Sequence, residues 1–173
     1  MLTHYIKDQR LEVFQDLGFS SFYVFWNLFS SGRGVDKCVE FIDKNYMFYL
    51  AFENSFCEDY VSEKLWNHLN GNLVPIVYGS ANYQAIAPPH SYINAMDYDS
   101  PKDLADYLNY LMENTTAYYE YFEWTNHFTV YQDQNRVFCQ ICEALNEVPL
   151  KHKVYENIES WWRKSGSCTK GYI

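Results

Sequence analysis

Residues Tyr46 to Gly79, YMFYLAFENSFCEDYVSEKLWNHLNGNLVPIVYG, decide the fold. Tyr46 to Phe52 is a nearly unbroken apolar and aromatic run, which is typical of a strand buried on both faces. A polar loop, Glu53 to Tyr60, follows it. Val74 to Tyr78 is a second apolar run with its proline near the start, where a strand tolerates one. The pattern predicts two buried strands joined by a loop and a connecting segment.

The connecting segment is predicted to be a helix. Ser62 suits the N-cap position, and Gly71 suits the position just after the last turn. Leu65, Trp66 and Leu69 give the helix one apolar side. A strand, a crossover helix and a parallel strand together make a βαβ unit.

Lys64 lies in the first turn of this predicted helix, where the helix dipole favours anions and disfavours cations. An anion held between the lysine and the free backbone N–H groups would explain the position, since helix N-termini bind phosphate in this way. The alternative is a solvated lysine paired with Glu58, Asp59 or Glu63. Spacing alone favours the alternative.

The rest of the chain continues the alternation of strands and helices, which predicts a parallel α/β sheet. Ser100 suits an N-cap and Pro101 the first helical position of a long amphipathic helix. The buried stripe of that helix is expected to be Leu104, Tyr107, Leu108 and Leu111. The other predicted elements are an amphipathic helix over Lys7 to Leu17, a short helix over Cys38 to Asn45, a strand over Ser91 to Met96, an aromatic helix over Thr115 to Trp124, and two closing helices over Gln134 to Asn146 and Val154 to Lys164.

Composition bounds the class of protein. The chain has 173 residues, of which 48% are hydrophobic and 20% aromatic, as expected for one globular domain. Its net charge of −9 argues against a basic nucleic-acid surface. No apolar run approaches the ~18 residues of a membrane-spanning helix. The N-terminal residues MLTHYIKDQR lack the apolar core of a signal peptide.

The cysteines leave several pairings open. The five are Cys38, Cys57, Cys139, Cys142 and Cys168, and an odd count leaves at least one thiol without a partner in the chain. The Cys139-x-x-Cys142 spacing suggests zinc, with His127, His152 or Cys168 as further ligands, but structural zinc sites usually show two tight ligand pairs. A disulfide is the favoured interpretation. The sequon Asn114-Thr115-Thr116 is a candidate glycosylation site.

Several of these motifs together resemble one enzyme family. In nearly the same order along the chain, they resemble the donor-binding region of the α1,3-fucosyltransferases, glycosyltransferase family 10. The motifs are FYLAFENS, Cys57, DYVSEK, VPIVYG, APPHSYI, SPKDLADYLNYL, YYEYFEW, the late CxxC and the WW pair. The resemblance covers about residues 36 to 168, and Ser62 stands where the family usually has threonine. It implies a Rossmann-like parallel sheet with flanking helices, the C-terminal domain of a GT-B glycosyltransferase.

The resemblance also implies a reaction and its residues. The reaction is inverting, metal-independent transfer of fucose from GDP-fucose to N-acetylglucosamine of a glycoprotein or glycolipid glycan. The implied donor contacts are Asn54, Tyr60, Glu63 and Lys64, with Lys64 neutralising phosphate and Glu63 binding fucose hydroxyls. Arg10 matches a phosphate-binding arginine, with an exposed helical arginine as the equal alternative. The resemblance implies a site that uses no metal or other cofactor.

The remaining candidates have structural interpretations. Without the resemblance, Asn54 would cap a loop, Tyr60 would pack and Glu63 would be solvated. Phe52 and Val61 are expected in the core, His68 on a helix surface, and Trp161 and Trp162 over the core, with sugar stacking as the alternative for the tryptophans. The disulfide candidates are Cys38, Cys139, Cys142 and Cys168, and the family also carries a CxxC at the late position.

The resemblance finally implies a division of the chain and of the enzyme. We expect a poorly matched segment at residues 1–35, the GDP-fucose-binding domain at 36–168 and a tail at 169–173. The family's catalytic base belongs to an N-terminal acceptor half and matches no residue here, so no catalytic residue is assigned. We expect a Golgi lumenal enzyme, anchored in the Golgi membrane through an N-terminal segment outside this chain. Because the acceptor half and its base are missing, we expect this chain alone to bind GDP-fucose weakly or not at all and to transfer fucose negligibly. The alternative function is a truncated, catalytically inactive fragment with a GDP-fucose-binding or structural role.

Overall fold

The structure is a computed structural model, and it describes residues 44–69, 71–131, 134–146, 154–165 and 167–168. Arg10, Cys38 and His152 lie outside these residues, as do the predicted helix over Lys7 to Leu17 and most of that over Cys38 to Asn45. Among the helices described, none has both the length and the apolar character needed to cross a membrane.

A parallel sheet forms the centre of the described chain. Its strands are β1 (Phe48–Phe52), β2 (Val74–Tyr78) and β3 (Ile93–Asn94), in the spatial order β1-β2-β3. Leu50 pairs with Ile76, and Ile76 pairs in turn with Ile93. The predicted parallel α/β architecture and the predicted βαβ unit, with helix α1 (Glu63–Leu69) between β1 and β2, are confirmed.

Two strand predictions need correction. Every residue of β2 is buried, whereas in β1 only Ala51 is fully buried. The expectation that β1 is buried on both faces holds in part, because Phe48, Leu50 and Phe52 are partly buried against one cluster of core side chains and Tyr49 is partly buried against another. The strand predicted over Ser91 to Met96 is reduced to β3, because Asn94 accepts a hydrogen bond from Met96 N–H and starts a 3-10 turn, Ala95–Asp97.

Helices cover both faces of the sheet. Besides α1, they are α2 (Tyr83–Ile86), α3 (Pro101–Glu113) and α4 (Thr115–Glu120). Ser100 accepts a hydrogen bond from Asp103 N–H and Pro101 takes the first position of α3, as predicted. The predicted single helix over Thr115 to Trp124 instead ends at Glu120, with a 3-10 turn at Glu123–Asn126. The main-chain N–H groups of the two residues that follow α4 bond three residues back, which tightens the chain out of α-helical geometry.

The core consists of two clusters, one on each face. Alternate side chains of a strand point to opposite faces, so Val74 and Ile76 of β2 join one cluster while Val77 joins the other. The first cluster adds Ile93 and the buried side chains of α3 and the segment after it: Leu104, Leu108, Leu111, Tyr118 and Tyr121. The second adds Ala51, Leu65, Leu69, Tyr83, Ala87 and Trp124. Of the predicted stripe on α3, only Tyr107 is not fully buried.

Two further helices follow this core. Helix α5 spans Gln134–Asn146, as predicted. Helix α6 spans Ile158–Ser165, so it begins later than Val154, because Asn157 accepts a hydrogen bond from Ser160 N–H at 2.7 Å and caps it. The apolar side chains of α5 at Val137, Phe138, Ile141 and Leu145 are exposed.

Candidate functional site

The candidate residues lie where β1 and β2 end. Residues 53–62 form the loop between β1 and α1, which we call the donor loop, and Gly79 and Ser80 follow β2. The Ser80 hydroxyl donates to the Cys57 carbonyl at 2.6 Å, so the two loops are joined. Open parallel α/β sheets bind ligands outside the carboxyl ends of their strands, so this edge is where a ligand is expected.

Glu53 anchors the donor loop. Its side chain is buried, at 2% exposure, although it carries a carboxylate. Oε1 accepts the Ser62 N–H at 2.7 Å, and the Glu53 N–H donates to the Tyr78 carbonyl at 2.9 Å. A buried carboxylate is costly unless it is paired and hydrogen-bonded, so these contacts fix both ends of the loop. Glu53 had no predicted role, although its place directly after β1 was a usable signal.

Lys64 is held by the same carboxylate. Its Nζ lies 3.5 Å from Glu53 Oε2 and donates to Ser62 Oγ at 2.9 Å, while the side chain keeps 25% exposure. Ser62 lies directly before α1, and Lys64 N–H donates to its Oγ in a long 3.5 Å bond, which supports the predicted N-cap. Lys64 therefore pairs with Glu53, which directly follows β1, and not with Glu58, Asp59 or Glu63, the partners expected in the alternative interpretation.

The other predicted donor residues lie on the same stretch of chain. Asn54 and Glu63 are exposed, and Tyr60 is half-buried with its N–H donating to the Cys57 carbonyl at 3.1 Å. The structure therefore joins Lys64, Ser62 and Glu53 in one cluster, with Asn54 and Glu63 open to solvent beside it. Their predicted donor contacts stay predictions, as does that of Arg10. Phe52 and Val61, predicted for the core, are partly buried against the two clusters.

A glycine makes room for the buried carboxylate. A Cβ on Gly79 would lie 3.2 Å from Glu53 Cγ and 2.5 Å from the Tyr83 hydroxyl oxygen. That hydroxyl is buried and has no hydrogen-bond partner among the described residues. Burial, then the Glu53 carboxylate and then Tyr92 raise the pKa of Tyr83 to about 12. Gly79 thus lets β2 end directly against Glu53.

His68 was predicted on the surface of α1, and this is wrong. The side chain is 3% exposed, and its ring lies on that of Tyr49 with centroids 3.7 Å apart. Burial, followed by the charges of Glu63 and Glu53, raises the pKa of Tyr49. The buried side of α1 therefore includes His68 as well as Leu65 and Leu69, so it is wider than the apolar side predicted from the sequence.

The cysteines pair differently from the expectation. Cys57 of the donor loop forms a disulfide with Cys168, which follows α6. Cys139 and Cys142 are free and exposed, so the favoured use of the CxxC pair as a disulfide is wrong for this structure. His127, suggested as a zinc ligand, is exposed. Within the described ranges, no three His, Cys, Asp or Glu side chains are grouped as a metal would require.

The two tryptophans do not cover the core. Trp161 is 38% and Trp162 51% exposed. The Trp161 ring packs on Tyr155, with centroids 4.6 Å apart, and the Trp162 ring meets Tyr60 edge-on at 6.5 Å. Because α6 is fastened to the donor loop through Cys168, its tryptophans lie beside that loop instead of over the sheet.

The predicted glycosylation site has a structural role. Asn114 caps α4, since its Oδ1 accepts the Ala117 N–H at 3.1 Å and its Nδ2 donates to the Tyr110 hydroxyl at 3.0 Å. Glycosylation at Asn114 stays a prediction, and the modified amide would have to give up the Tyr110 contact or share it.

A cavity of about 490 Å³ lies elsewhere, beside β3. Of the predicted donor residues that the structure describes, Asn54, Tyr60, Glu63 and Lys64, none lines it. Its walls include rings and polar groups of the segments on either side of β3, among them His90, Tyr92, Asn94, Asp97, Tyr98 and Tyr121. The ring of Tyr92, which lines the cavity, lies 5.7 Å from the ring of Tyr83.

Comparison with known proteins supplies a family. Residues 6–161 match the sequence model of glycosyltransferase family 10 (fucosyltransferase), C-terminal region. Alpha-(1,3)-fucosyltransferase C of Drosophila melanogaster is 41% identical over 138 residues, which make up 79% of this chain and 32% of that protein. Glycoprotein 3-alpha-L-fucosyltransferase A of the same organism is 42% identical over 150 residues, which make up 83% of this chain and 29% of that protein. The chain thus spans roughly a third of the length of the curated relatives it matches.

A solved structure agrees with this assignment. A crystal structure of alpha1,3-fucosyltransferase with GDP-fucose superimposes with a TM-score of 0.52 and 26% sequence identity, covering 72% of this chain and 39% of that one. The expected fold class, a Rossmann-like parallel sheet with flanking helices as in a GT-B glycosyltransferase, is confirmed.

Proposed function

We propose that this chain, which belongs to glycosyltransferase family 10, the fucosyltransferases, is the GDP-fucose-binding part of an α1,3-fucosyltransferase. The observation that carries the proposal is the cluster of Lys64, Ser62 and Glu53 at the carboxyl end of β1. Lys64 is the sole lysine or arginine between Lys44 and Lys102, so the positive charge of this segment is concentrated at that edge.

Lys64 is the proposed phosphate ligand. Its ammonium group keeps contact with solvent while two oxygens orient it, so an approaching diphosphate meets a positioned charge. Helix α1 has seven residues, so the charge of the side chain, more than the helix dipole, favours the anion. Because Glu53 already offsets part of this charge, a diphosphate needs a further cation, and Arg10 is the candidate.

The proposed chemistry is an inverting transfer. A hydroxyl oxygen of N-acetylglucosamine attacks the anomeric carbon of fucose, the bond from that carbon to the β-phosphate oxygen breaks, and a general base takes the hydroxyl proton. Lys64 and Arg10 stabilise the negative charge that develops on the departing GDP. Glu63, exposed beside Lys64, binds fucose hydroxyls and favours the positive charge of an oxocarbenium-like transition state. The base is proposed to come from outside this chain, from the acceptor-binding part of the enzyme.

The acceptor and compartment follow from the same proposal. The acceptor is N-acetylglucosamine of a glycoprotein or glycolipid glycan, and the full-length enzyme works in the Golgi lumen, held at the Golgi membrane by a segment outside this chain. The Cys57–Cys168 disulfide supports an oxidising compartment, because structural disulfides persist there and are rare in the cytosol.

Calorimetric titration of GDP and of GDP-fucose into the full 173-residue chain, without metal and with a chelator, tests the proposal. We expect both ligands to bind, and Lys64→Ala to weaken both by about tenfold or more, as the loss of one charge-assisted contact predicts. Lys102→Ala is the matched control, since Lys102 is an exposed lysine paired with Asp106 on α3. A cooperative thermal melt with no binding would overturn the proposal for this chain and favour the inactive fragment instead.

A further inference from the structure

Two contacts bring the end of the described chain to the donor loop. The Cys57–Cys168 disulfide joins them covalently across a sequence separation of 111 residues. On α6, the ring of Trp162 meets that of Tyr60 at an interplanar angle of 88°. These contacts flank the loop that carries Asn54 and Ser62, so Trp162 and Cys168 lie at one side of the candidate site.

Trp162 is unusual among the aromatic residues beside this loop because half of its ring system stays open. It is 51% exposed, although the edge-on contact with Tyr60 orients it. An oriented aromatic surface left in contact with water at the border of a polar site is available to a ligand. The family match ends at residue 161, so nothing in that match assigns Trp162 or Cys168 a role.

We propose that Trp162 is a further donor-contacting residue, which binds the fucosyl group of GDP-fucose through the exposed surface of its indole. This inference rests on the proposed function. Tyr60 and Glu63 are both among the donor contacts that the family resemblance implies, and Trp162 packs on the first of them. Fucose is a 6-deoxy sugar, and its methyl group and C–H bonds form an apolar surface that gains from burial against an aromatic ring. Trp162 thereby favours a 6-deoxy sugar over one with a hydroxyl at that carbon.

The disulfide has a positioning role in this proposal. Cys57 lies in the donor loop and Cys168 follows α6, so the bond keeps Trp162 beside Tyr60 although Ile158 and Glu159 at the start of α6 are exposed. Without the bond, the edge-on ring contact alone would have to hold the segment, and one aromatic contact contributes only about 0.5–1.5 kcal/mol. The double variant Cys57→Ser/Cys168→Ser should therefore behave like a loss of Trp162.

The test is a calorimetric comparison of GDP-fucose and GDP on the full chain and four variants. Trp162→Ala should weaken GDP-fucose binding about five- to tenfold and GDP binding less than twofold, as loss of a sugar contact predicts. Trp161→Phe is the matched control, because it keeps a ring between Tyr155 and Trp162, and it should change neither affinity. Trp162→Leu tests the aromatic requirement if the alanine variant does not fold. Cys57→Ser/Cys168→Ser tests the role of the bond.

Each outcome decides the proposal. An unchanged GDP-fucose affinity in a folded Trp162 variant overturns it, and so does an equal loss of GDP and GDP-fucose, which would place the indole on the nucleotide. A selective loss of GDP-fucose affinity supports it. If the unmodified chain binds neither GDP nor GDP-fucose, the proposed function is overturned, and this inference is overturned with it. Titration of the unmodified chain therefore distinguishes failure of the proposed function from failure of the Trp162 proposal alone.

Discussion

The ammonium of Lys64 lies 3.5 Å from Oε2 of Glu53, a carboxylate with 2% exposure at the end of β1. Glu53 also accepts the Ser62 N–H, so one buried side chain fixes both the close of the donor loop and the position of the lysine. Removing one partner of a buried, hydrogen-bonded charge pair costs more than removing an exposed pair. The stability of the donor loop and the proposed phosphate contact of Lys64 therefore depend on the same residue.

Glu53→Ala should lower the free energy of unfolding by about 1–3 kcal/mol, because the Ser62 N–H loses its acceptor and Lys64 loses its carboxylate. Glu53→Gln should cost less, since the amide oxygen can still accept the Ser62 N–H. Chemical denaturation measures both changes, with the exposed Glu120→Ala as the control. Equal stability of Glu53→Ala and the unmodified chain would show that this carboxylate is not structural.

Gly79→Ala should destabilise the chain by about 1–3 kcal/mol, because the new methyl group would overlap the Tyr83 hydroxyl and press on Glu53. Tyr83→Phe alone should cost little, since the hydroxyl has no hydrogen-bond partner among the described residues. The double variant Gly79→Ala/Tyr83→Phe should therefore recover part of the loss. Strictly additive effects in this double-mutant cycle would contradict the overlap.

The helix starts and strand bounds that depend on residues close together in the sequence were predicted correctly. Ser100 and Pro101 start α3 where the sequence places them, and β2 has the predicted bounds. Lys64 and Ser62 were predicted at the start of α1 because caps and charges near a helix end act over a few residues. The family resemblance rested on the same short stretches, and the family match confirmed it.

The features that sequence reasoning missed depend on distant parts of the chain. The burial of Glu53 requires Gly79 and Tyr83, and the burial of His68 requires Tyr49, so no local window reveals either. Glutamate and histidine side chains are seldom fully buried, but in this structure contacts with distant residues bury both Glu53 and His68. The pairing of Cys57 with Cys168 was likewise out of reach, because spacing does not determine disulfide connectivity.

Alkylation followed by mass spectrometry should distinguish the two cysteine pairs. Cys139 and Cys142 should react in the native chain, whereas Cys57 and Cys168 should react only after reduction. Reduction should also destabilise the chain by about 2–4 kcal/mol, as loss of a native cross-link predicts. The double variant Cys57→Ser/Cys168→Ser should show no such change on reduction. A peptide linking Cys139 to Cys142 in the unreduced chain would contradict the structure.

Alkaline pH should destabilise the chain through its buried tyrosines. Burial raises the pKa of Tyr83 from the ordinary value of 10.0 to about 12, and it also raises the pKa values of Tyr98, Tyr118 and Tyr121. The unfolded chain therefore releases these protons at a lower pH than the folded chain does. The stabilising contribution of each tyrosine is complete below pH 10 and is lost as pH rises through the folded-state value, by up to about 1.4 kcal/mol per pH unit and group.

Denaturation at a series of pH values, followed together with tyrosinate absorbance, measures this loss. Tyr83→Phe removes one group that titrates late, so the fall in unfolding free energy between pH 10 and about 12 should become shallower. Tyr131→Phe is the control, because Tyr131 is largely exposed and its replacement should leave the slope unchanged. If Tyr83→Phe and Tyr131→Phe have the same slope as the unmodified chain, the Tyr83 hydroxyl is not buried against Glu53, and the overlap expected for Gly79→Ala loses its basis as well.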